Sequence, residues 1–483
     1  MSHDNLGFTS STDAVNCKKS SGSAEQHGKQ DRYALKGVTN GVFTIDRNEE
    51  KRRAKELETD YNPYEHREVE HPTTYLDTLF HLLKGSLGTG ILAMPMAFAN
   101  SGYIIGFVGT IIIGLLCTYC IKLLIGAEYE LCKRKRVPSL TYPATAEAAF
   151  SEGPAIFKGF AKISGHVVNT FLLIYQLGTC CVYVVFIAEN LHKALTDWIG
   201  EADVKWYMLV ILLPLILINW IRNLKFLAPL STIANGVTFV SFGIIIYYIF
   251  RESLTLNGKA KVGEVQNFPL YFGTVLFALE AIGVIMPLEN EMKKPRSFGS
   301  PCGVLHVGMG SIIFLYVGMG FFGYLRYGDA VEGSITLNLE PKEKLAKTVQ
   351  ILLALSIYVT HALQCYVAVD IVWNEYISKR VRKDSHKIFW EYVVRTLLVV
   401  VTFLLAVAVP KLELFISLFG ALCLSALGLA FPAIIDCCTF WKVRDRGGKI
   451  LMVAKNGSLV AFGFLGLVVG TYTSLSEIVK SFS

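Results

Sequence analysis

Apolar runs of about 20 residues recur along the chain from residue 74 to residue 476. A run of this length is what an α-helix needs to cross the hydrocarbon core of a membrane. Only 18% of the residues are charged, whereas soluble domains average about 25%. The sequence therefore predicts an all-α integral membrane protein with eleven transmembrane helices in contact with the lipid bilayer. We place the crossings near residues 74–99, 103–127, 163–190, 206–222, 228–250, 268–288, 304–325, 346–376, 389–409, 412–438 and 452–476.

The loops between the apolar runs differ in charge. Basic residues are concentrated in alternate loops, for example at residues 133–136, 293–296 and 379–383. Loops rich in Lys and Arg face the cytosol, which puts the N-terminus in the cytosol and, with an odd number of crossings, the C-terminus on the other side. The net charge of +7 lies in these short loops, so it indicates membrane topology and no nucleic-acid partner.

Three regions follow from this topology. Residues 73–476 are predicted to form the transmembrane domain. Residues 1–72 contain many Ser, Gly, Lys, Glu and Asp residues, which is typical of a disordered tail, here in the cytosol. Residues 477–483 form a short extracytosolic C-terminus.

The first crossing contains residues that disfavour a continuous helix. Between His81 and Pro95 it has three glycines, two hydroxyl residues and a lysine. Each glycine costs about 1 kcal/mol relative to alanine in a helix, and proline costs about 3 kcal/mol. Backbone that is not helical occurs at membrane depth only where it is buried in protein or lines a cavity. The composition therefore predicts two half-helices that meet at a break, with backbone groups facing a small polar ligand.

The sixth crossing, near residues 268–288, is interrupted in a similar way. It carries Glu280 in mid-segment, followed by Gly283 and Pro287. The first and sixth crossings run in opposite directions, and each opens a group of five helices, as in transporters built from inverted repeats. We therefore predict a 5+5 inverted repeat with broken helices 1 and 6, plus one extra C-terminal helix.

The glycine-rich stretch of the first crossing forms one half of a predicted substrate site. Backbone amides at the start of the second half-helix would bind a carboxylate, because the unpaired donors and the helix dipole both favour negative charge there. A nucleotide-binding loop is excluded, since no strand precedes the stretch and no Gly-Lys-Ser/Thr ends it. A close-packing face for a neighbouring helix is the alternative. The predicted substrate-binding residues are Gly85, Ser86, Leu87, Gly88, Thr89 and Gly90.

The other half of the site is predicted at the break in the sixth crossing. Carbonyl groups between Ala278 and Gly283 would accept an ammonium group, so that the two breaks together suit a zwitterion. Gly283 would leave room for a small substrate only, and Phe277 would form a wall. On the eighth crossing, Thr360 shares a helix face with Ser356 and is a further candidate; an ordinary hydrogen bond between helices is the alternative.

Two titratable residues are candidates for proton coupling. His81 lies one turn before Gly85, and histidine is the side chain that titrates nearest neutral pH. A histidine that simply bonds a neighbouring carbonyl group is the alternative. Glu280 is a carboxylate inside the membrane, which would either carry a proton or accept amide bonds that hold the broken helix together. The sequence contains no metal-ligand pattern of Cys and His, so no metal site is predicted.

Two motifs lie in the broken crossings. The first is His81-Leu82-Leu83-Lys84-Gly85 with Gly88-Thr89-Gly90, and the second is Phe272-Gly273-Thr274 with Phe277-Ala278 and Glu280. Both resemble the proton-coupled amino acid transporter family, within the amino acid/auxin permease superfamily. The similarity spans about residues 72–476.

The resemblance implies an inverted-repeat transporter, not an enzyme, that moves small neutral amino acids such as glycine, alanine and proline. It implies no cofactor, with the proton as the coupling ion, and it implies that His81 takes part in the coupling. Plasma-membrane members of the family have a disulfide between external loops, whereas no cysteine lies in residues 191–205, 251–267 or 329–345. The plasma membrane and the late endosome or lysosome are therefore both expected locations.

Three other interpretations stay open. The protein could be a sensor that binds an amino acid and signals to partners through its N-terminal tail. It could be a facilitator that moves amino acids without protons. Sodium coupling is less favoured, because Thr360 is followed by His361, whereas sodium-coupled proteins of this architecture tend to have adjacent hydroxyl groups on helix 8.

Overall fold

The structure, a computed structural model, describes residues 61–482 apart from residues 70–71, 201, 223, 280–281, 341, 382–383 and 410. Within this part of the chain the backbone is almost entirely helical, and its β-type pairing is one bridge between Thr73 and Met292. The predicted all-α class is confirmed. Residues 1–60 of the predicted tail lie outside the described residues.

We number the α-helices in chain order. They are α1 (Tyr75–Ser86), α2 (Thr89–Ser101), α3 (Tyr103–Lys135), α4 (Tyr142–Glu152), α5 (Ala155–Lys158), α6 (Ala161–Ile199), α7 (Val204–Asn219), α8 (Leu224–Phe250), α9 (Phe268–Ala278), α10 (Ile282–Asn290), α11 (Val304–Tyr327), α12 (Lys344–Asp370), α13 (Asp384–Ala408), α14 (Leu412–Phe419), α15 (Phe431–Phe440) and α16 (Arg446–Lys480). Two π-helical segments, Ile371–Ile377 and Gly420–Ala430, extend α12 and join α14 to α15.

Each of the eleven predicted crossings coincides with one helix or with consecutive helices. The first crossing is α1 with α2, and the sixth is α9 with α10. Among the described residues, eight helices are long and apolar enough to cross a membrane, or nine when α1 and α2 count as one crossing. The other two crossings are α7, which has only 16 residues, and the α9–α10 pair. The count of eleven therefore stays a prediction.

Contacts between helices follow the pattern of an inverted repeat. The first and sixth crossings meet where α2 packs on α9 and where α1 packs on α10. The next three counterpart pairs, α3 with α11, α6 with α12 and α7 with α13, are also in contact. A pseudo-two-fold axis between two halves brings such counterparts together. The arrangement makes the two broken crossings face each other.

The break in the first crossing is visible in the backbone. α1 begins at a capping box, in which the amides of Asp77 and Thr74 donate to each other's side chains (3.3 and 3.1 Å). It ends at Ser86, and α2 begins after Gly88, whose backbone is not helical (φ −111°, ψ −149°). The axes of α1 and α2 are inclined by 54°. The interruption that the glycines predict is therefore confirmed.

The sixth crossing is interrupted between α9 and α10. Leu279, just after α9, has left the helical conformation (φ −76°, ψ 6°), although its amide still donates to the Val275 carbonyl oxygen (2.9 Å). The next two residues, 280 and 281, lie outside the described residues. Both predicted broken crossings are thus present.

Residues 61–69 pack against the helices, within the range that the composition predicts to be a tail. Pro63–Glu65 form a short 3₁₀ helix, and the side chain of Arg67 is 5% exposed and contacts Glu289. A polar composition cannot reveal this packing, because it depends on partners far along the chain. We use the name N-terminal face for the surface formed by residues 61–69 and 72–73 and by the C-terminal ends of α3 and α10. The opposite face carries residues 251–267 and 328–343.

Candidate functional site

The two breaks lie directly against each other. A Cβ atom at Gly90 would lie 2.6 Å from the Cα atom of Ala278 and 3.1 Å from its Cβ atom. These distances leave no room for a side chain, so Gly90 allows the first turn of α2 to touch the last turn of α9. Thr89 and Ala278 are each 2% exposed. The structure therefore brings together two stretches that the sequence assigns to the two halves of one site.

The backbone of the first break is only partly paired. The Leu87 amide donates to the Leu83 carbonyl oxygen, and the Gly88 amide donates to the Ser86 carbonyl oxygen, both at 3.0 Å. Tyr316 on α11 also donates its hydroxyl to the Ser86 carbonyl oxygen. On the other side of the break, Gly88 provides no side-chain cap for α2. Amides in the first turn of a helix have no partner within that helix, and they point out of its N-terminal end.

The predicted glycine-rich stretch falls on both sides of this break. Residues 85 and 86 are the last two residues of α1, and their amides belong to the hydrogen bonding of that helix. The buried Ser86 hydroxyl donates to the Leu82 carbonyl oxygen at 3.1 Å. Residues 87 and 88 form the break, and Thr89 and Gly90 begin α2. The geometry favours the amides of Thr89 and Gly90 for an anionic group. Substrate binding by the whole stretch stays a prediction.

The second break supplies carbonyl groups. Phe277 and Ala278 are buried at the end of α9, and the Phe277 ring lies 6.0 Å from the ring of Tyr175 on α6. Carbonyl groups in the last turn of a helix have no donor within that helix, so this end of α9 suits a cation. Gly283 lies in the first turn of α10 and is partly exposed. Glu280 lies outside the described residues, and its part in proton coupling stays a prediction.

Tyr183 on α6 is a site residue that the sequence reasoning did not single out. Its hydroxyl oxygen lies 3.8 Å from the position that a Cβ atom at Gly88 would take, and its side chain is buried. The hydroxyl lies near the side chain of Gln364 on α12. A hydroxyl beside the break can reach a ligand at the start of α2. The available signal was a tyrosine, with its polar tip, in the middle of the apolar third crossing.

His81 lies on α1 beside Asp77. The two residues are one turn apart, and the Asp77 carboxylate interacts electrostatically with the imidazole. His81 is partly exposed and belongs to the first half-helix, one turn before the end of α1. Asp77 was not among the predicted site residues, although Thr74 and Asp77 have the spacing of a capping box. The part of His81 in proton coupling stays a prediction.

The hydrogen bond of the Thr360 side chain does not involve either break. Its hydroxyl donates to the Ser356 carbonyl oxygen, and the Ser356 hydroxyl donates to the Ala234 carbonyl oxygen on α8, both at 2.9 Å. Among the described residues, no hydrogen bond joins Thr360 to α2 or α9. The neighbouring His361 is fully buried, with Nδ1 3.2 Å from Nδ2 of Asn219. Ser356 thus makes an ordinary bond between helices, and substrate binding by Thr360 stays a prediction.

The geometry is suited to holding a small zwitterion. The N-terminal end of α2 attracts an anionic group, the C-terminal end of α9 attracts a cationic group, and Gly90 keeps the two ends in contact. In the part of the chain that the structure describes, no group of three His, Cys, Asp or Glu side chains is placed to hold a metal ion.

Comparison with known sequences gives an independent result. The family model described as "Transmembrane amino acid transporter protein" matches residues 71–476. The "Proton-coupled amino acid transporter-like protein pathetic" of Drosophila melanogaster is 41% identical over 425 residues, which cover 88% of this chain and 89% of the relative. The "Probable amino acid transporter skat-1" of Caenorhabditis elegans is 28% identical over 426 residues, which cover 83% of this chain and 89% of the relative.

A solved structure shares the fold. The "Inward facing conformation of Mhp1" matches with a TM-score of 0.51 over 86% of this chain and 91% of that chain, at 13% sequence identity. At this identity the likeness concerns the fold alone. It agrees with the transporter architecture that the helix contacts indicate.

Proposed function

Since this chain belongs to the transmembrane amino acid transporter family, we propose that it moves small neutral amino acids, such as glycine, alanine and proline, together with protons. The chain is an amino acid transporter and not an enzyme. In the proposed cycle one zwitterion and one proton cross together, while the site opens alternately to the two sides of the membrane.

The contact between the two breaks is the observation that carries the substrate class. An amino acid has a carboxylate and an ammonium group on one carbon atom, and the ends of α2 and α9 offer opposite partial charges in contact with each other. Phe277 is buried at the end of α9, beside Ala278. We infer from this burial a preference for glycine, alanine and proline over larger amino acids.

Proton coupling is supported by a relative and by the position of His81. The Drosophila relative, 41% identical, is itself named a proton-coupled amino acid transporter-like protein. His81 lies on the half-helix that ends at the break, next to the Asp77 carboxylate. One pH unit supplies about 1.4 kcal/mol, and 100 mV adds about 2.3 kcal/mol for each charge. These amounts are sufficient to concentrate a neutral substrate roughly tenfold or more.

We place the N-terminal face in the cytosol, because the loops rich in Lys and Arg lie on that side. The opposite face would then meet the cell exterior or the lumen of the late endosome or lysosome. Either compartment can be more acidic than the cytosol, so the proposed proton flow runs from the opposite face to the N-terminal face.

Uptake of labelled glycine into proteoliposomes tests this function. Vesicles that contain the full chain receive an inward pH gradient, an inward sodium gradient or no gradient, at the same membrane potential. We expect the pH gradient to drive uptake, and we expect alanine and proline to compete whereas arginine does not. Uptake that rises with sodium and ignores pH would contradict proton coupling. Competition by arginine would contradict the small neutral substrate class.

A further inference from the structure

Arg67 is a buried arginine in the segment that precedes α1. Its Nη1 atom lies 2.9 Å from Oε2 of Glu289, at the end of α10, and 3.3 Å from the carbonyl oxygen of the same residue. Its Nη2 atom lies 3.7 Å from Oε2 of Glu128 on α3, and its Nε donates to the Pro138 carbonyl oxygen at 3.0 Å. The side chains of Arg67, Glu289 and Glu128 are only 5%, 2% and 2% exposed. One arginine therefore joins α3, α10 and the loop after α3.

One tyrosine contacts the guanidinium group, and a second tyrosine packs against the first. The Cζ atom of Arg67 lies 4.7 Å from the centroid of the Tyr64 ring. The Tyr64 ring also lies 4.7 Å from the ring of Tyr129 on α3. The segment is thus fixed to α3 and α10 by several contacts around one charged group.

The same segment joins α10 to α1 at Thr73. The Thr73 amide donates to the Glu291 carbonyl oxygen, and the Lys293 amide donates to the Thr73 carbonyl oxygen, both at 2.9 Å. The next residue, Thr74, caps α1. The described part of residues 61–73 therefore runs across the N-terminal face from α3 to α10 and into α1. These two half-helices, α1 and α10, form the N-terminal-face ends of the broken crossings.

The cluster contains two carboxylates and one guanidinium group, so negative charge is in excess. Glu128 and Glu289 share Arg67, and Oε1 of Glu289 has no hydrogen-bond partner among the described residues. Oε1 of Glu128 accepts from the Cys132 thiol (3.1 Å) and the Leu140 amide (3.0 Å), which are neutral donors. Without Arg67, two buried carboxylates would repel each other across α3 and α10. The contact between these two helices therefore depends on Arg67.

We propose that residues 61–69 and 72–73 act as a latch on the N-terminal face, in which Arg67 is the positioning residue that holds α10 against α3 while this face is closed. The inference rests on the proposed alternating access, in which α1 and α10 move so that the substrate can leave. Opening separates Arg67 from Glu289 and breaks the Thr73 bridge, and closing restores both.

Hydrogen exchange on the full-length protein in lipid nanodiscs tests the latch. In Arg67→Ala we expect the amides of α1 and α10 to exchange roughly tenfold faster, while α16 keeps its wild-type rate. Arg134→Ala is the matched control, because Arg134 lies near the same end of α3 and pairs with Glu130 (2.9 Å) and Glu152 (3.2 Å), which belong to neither α1 nor α10. An unchanged rate in α1 and α10 of Arg67→Ala, or an equal rise in Arg134→Ala, would contradict the latch.

A rescue variant separates charge compensation by Arg67 from packing by its side chain. Adding Glu128→Gln and Glu289→Gln to Arg67→Ala removes the repulsion between the carboxylates. Exchange in α1 and α10 should then return to within about twofold of wild type. If Arg67 contributes only to packing, the triple variant will exchange at least as fast as Arg67→Ala, and the proposal fails.

Transport provides a readout that a packing role would not change. A face that no longer closes reduces the fraction of protein open to the opposite face, so the KM for substrate offered there should rise roughly tenfold in Arg67→Ala. Arg67→Lys keeps the charge and should lie between this variant and wild type. If wild type transports and Arg67→Ala keeps the wild-type KM, the latch is wrong. If wild type itself does not transport, the proposed function is wrong.

Discussion

The ion cluster around Arg67 on the N-terminal face is far more buried than the ion pairs of the opposite face. On the N-terminal face, the side chains of Arg67 and its two glutamate partners are at most 5% exposed. On the opposite face, the paired side chains of Arg251 and Glu343 are 43% and 35% exposed. Three further pairs there are also open to solvent: Lys193–Glu332, Arg326–Glu252 and Lys347–Asp197.

The difference in exposure determines how much stability each face loses when one charge is removed. Removing one partner of a buried ion pair costs about 3–5 kcal/mol, because the other charge is left buried and unpaired. Exposed pairs contribute little, since water and salt screen them. The N-terminal face therefore includes a cluster whose charges are almost completely buried, whereas the four named pairs of the opposite face are all open to solvent.

The largest expected effect is the difference in stability between two variants that each lose one arginine, one on each face. Arg67→Met should lower the thermal unfolding temperature by several degrees, because it leaves two buried carboxylates. Arg251→Met should leave the thermal unfolding temperature close to that of wild type, because its pair with Glu343 is exposed. Thermal unfolding of both variants in the same detergent measures the difference. Equal losses in the two variants would remove the contrast between the faces.

At the centre of the domain, where the two breaks meet, we expect a substitution to reduce transport through overpacking and not through the loss of an ion pair. A methyl group at Gly90 would overlap the backbone of Ala278, and overpacking of this kind costs about 1–3 kcal/mol. Gly90→Ala should therefore reduce glycine uptake at least about tenfold. Gly318→Ala on α11 is the control, because a Cβ atom there meets open space. Uptake by Gly90→Ala at the level of Gly318→Ala would refute the close contact of the two breaks as the basis of the site.

A substitution at His81 tests whether this residue, on the half-helix α1 between the N-terminal face and the centre, takes part in proton coupling. His81→Gln cannot titrate, so the stimulation of uptake by acid should disappear while uptake near neutral pH persists. His166→Gln is the control, since His166 is exposed on α6 and bonds Tyr376 at 3.3 Å. Uptake by each variant is measured at acidic and neutral external pH. Acid stimulation that survives in His81→Gln would move the coupling role to Glu280.

The smallest expected effect concerns the pH response of the opposite face. Hydrogen bonds from Tyr248 and Arg251 hold the pKa of the Glu343 carboxyl below its usual range. A lowered pKa means that the pair contributes above the unfolded pKa of about 4.3 and is lost only as the pH falls below it. The difference in unfolding temperature between wild type and Arg251→Ala should thus be the same at pH values of about 7.5 and about 5. A difference that shrinks at the lower pH would show that Glu343 already takes up protons there.

The sequence predicts much of the helical framework because helix formation in a membrane depends on local composition. Length and hydropathy locate the crossings, and the cost of Gly85 and Gly88 in a helix locates the first break, whereas Pro95 lies inside α2. Glu280 and Gly283 locate the second break in the same way. These are properties of single segments, so one sequence is sufficient to recognise them.

The remaining features depend on residues that are distant in the chain. Arg67 belongs to a polar segment that looks like a tail, and its partner Glu289 lies 222 residues later. Tyr316 meets Ser86, 230 residues earlier, and Tyr183 reaches the break from a different helix. Composition and periodicity do not indicate which distant residues contact each other. The helix framework was therefore accessible from the sequence, whereas the residues that close the site and the N-terminal face were not.

Substrate-driven proton flux tests the central claim most directly. Proteoliposomes that contain the protein and a pH-sensitive dye are prepared without a pH gradient, and glycine or alanine is then added outside. The account predicts acidification of the lumen on addition of glycine or alanine, no acidification with arginine, and none in His81→Gln vesicles. Uptake of labelled glycine without acidification of the lumen would contradict coupled transport of amino acid and proton.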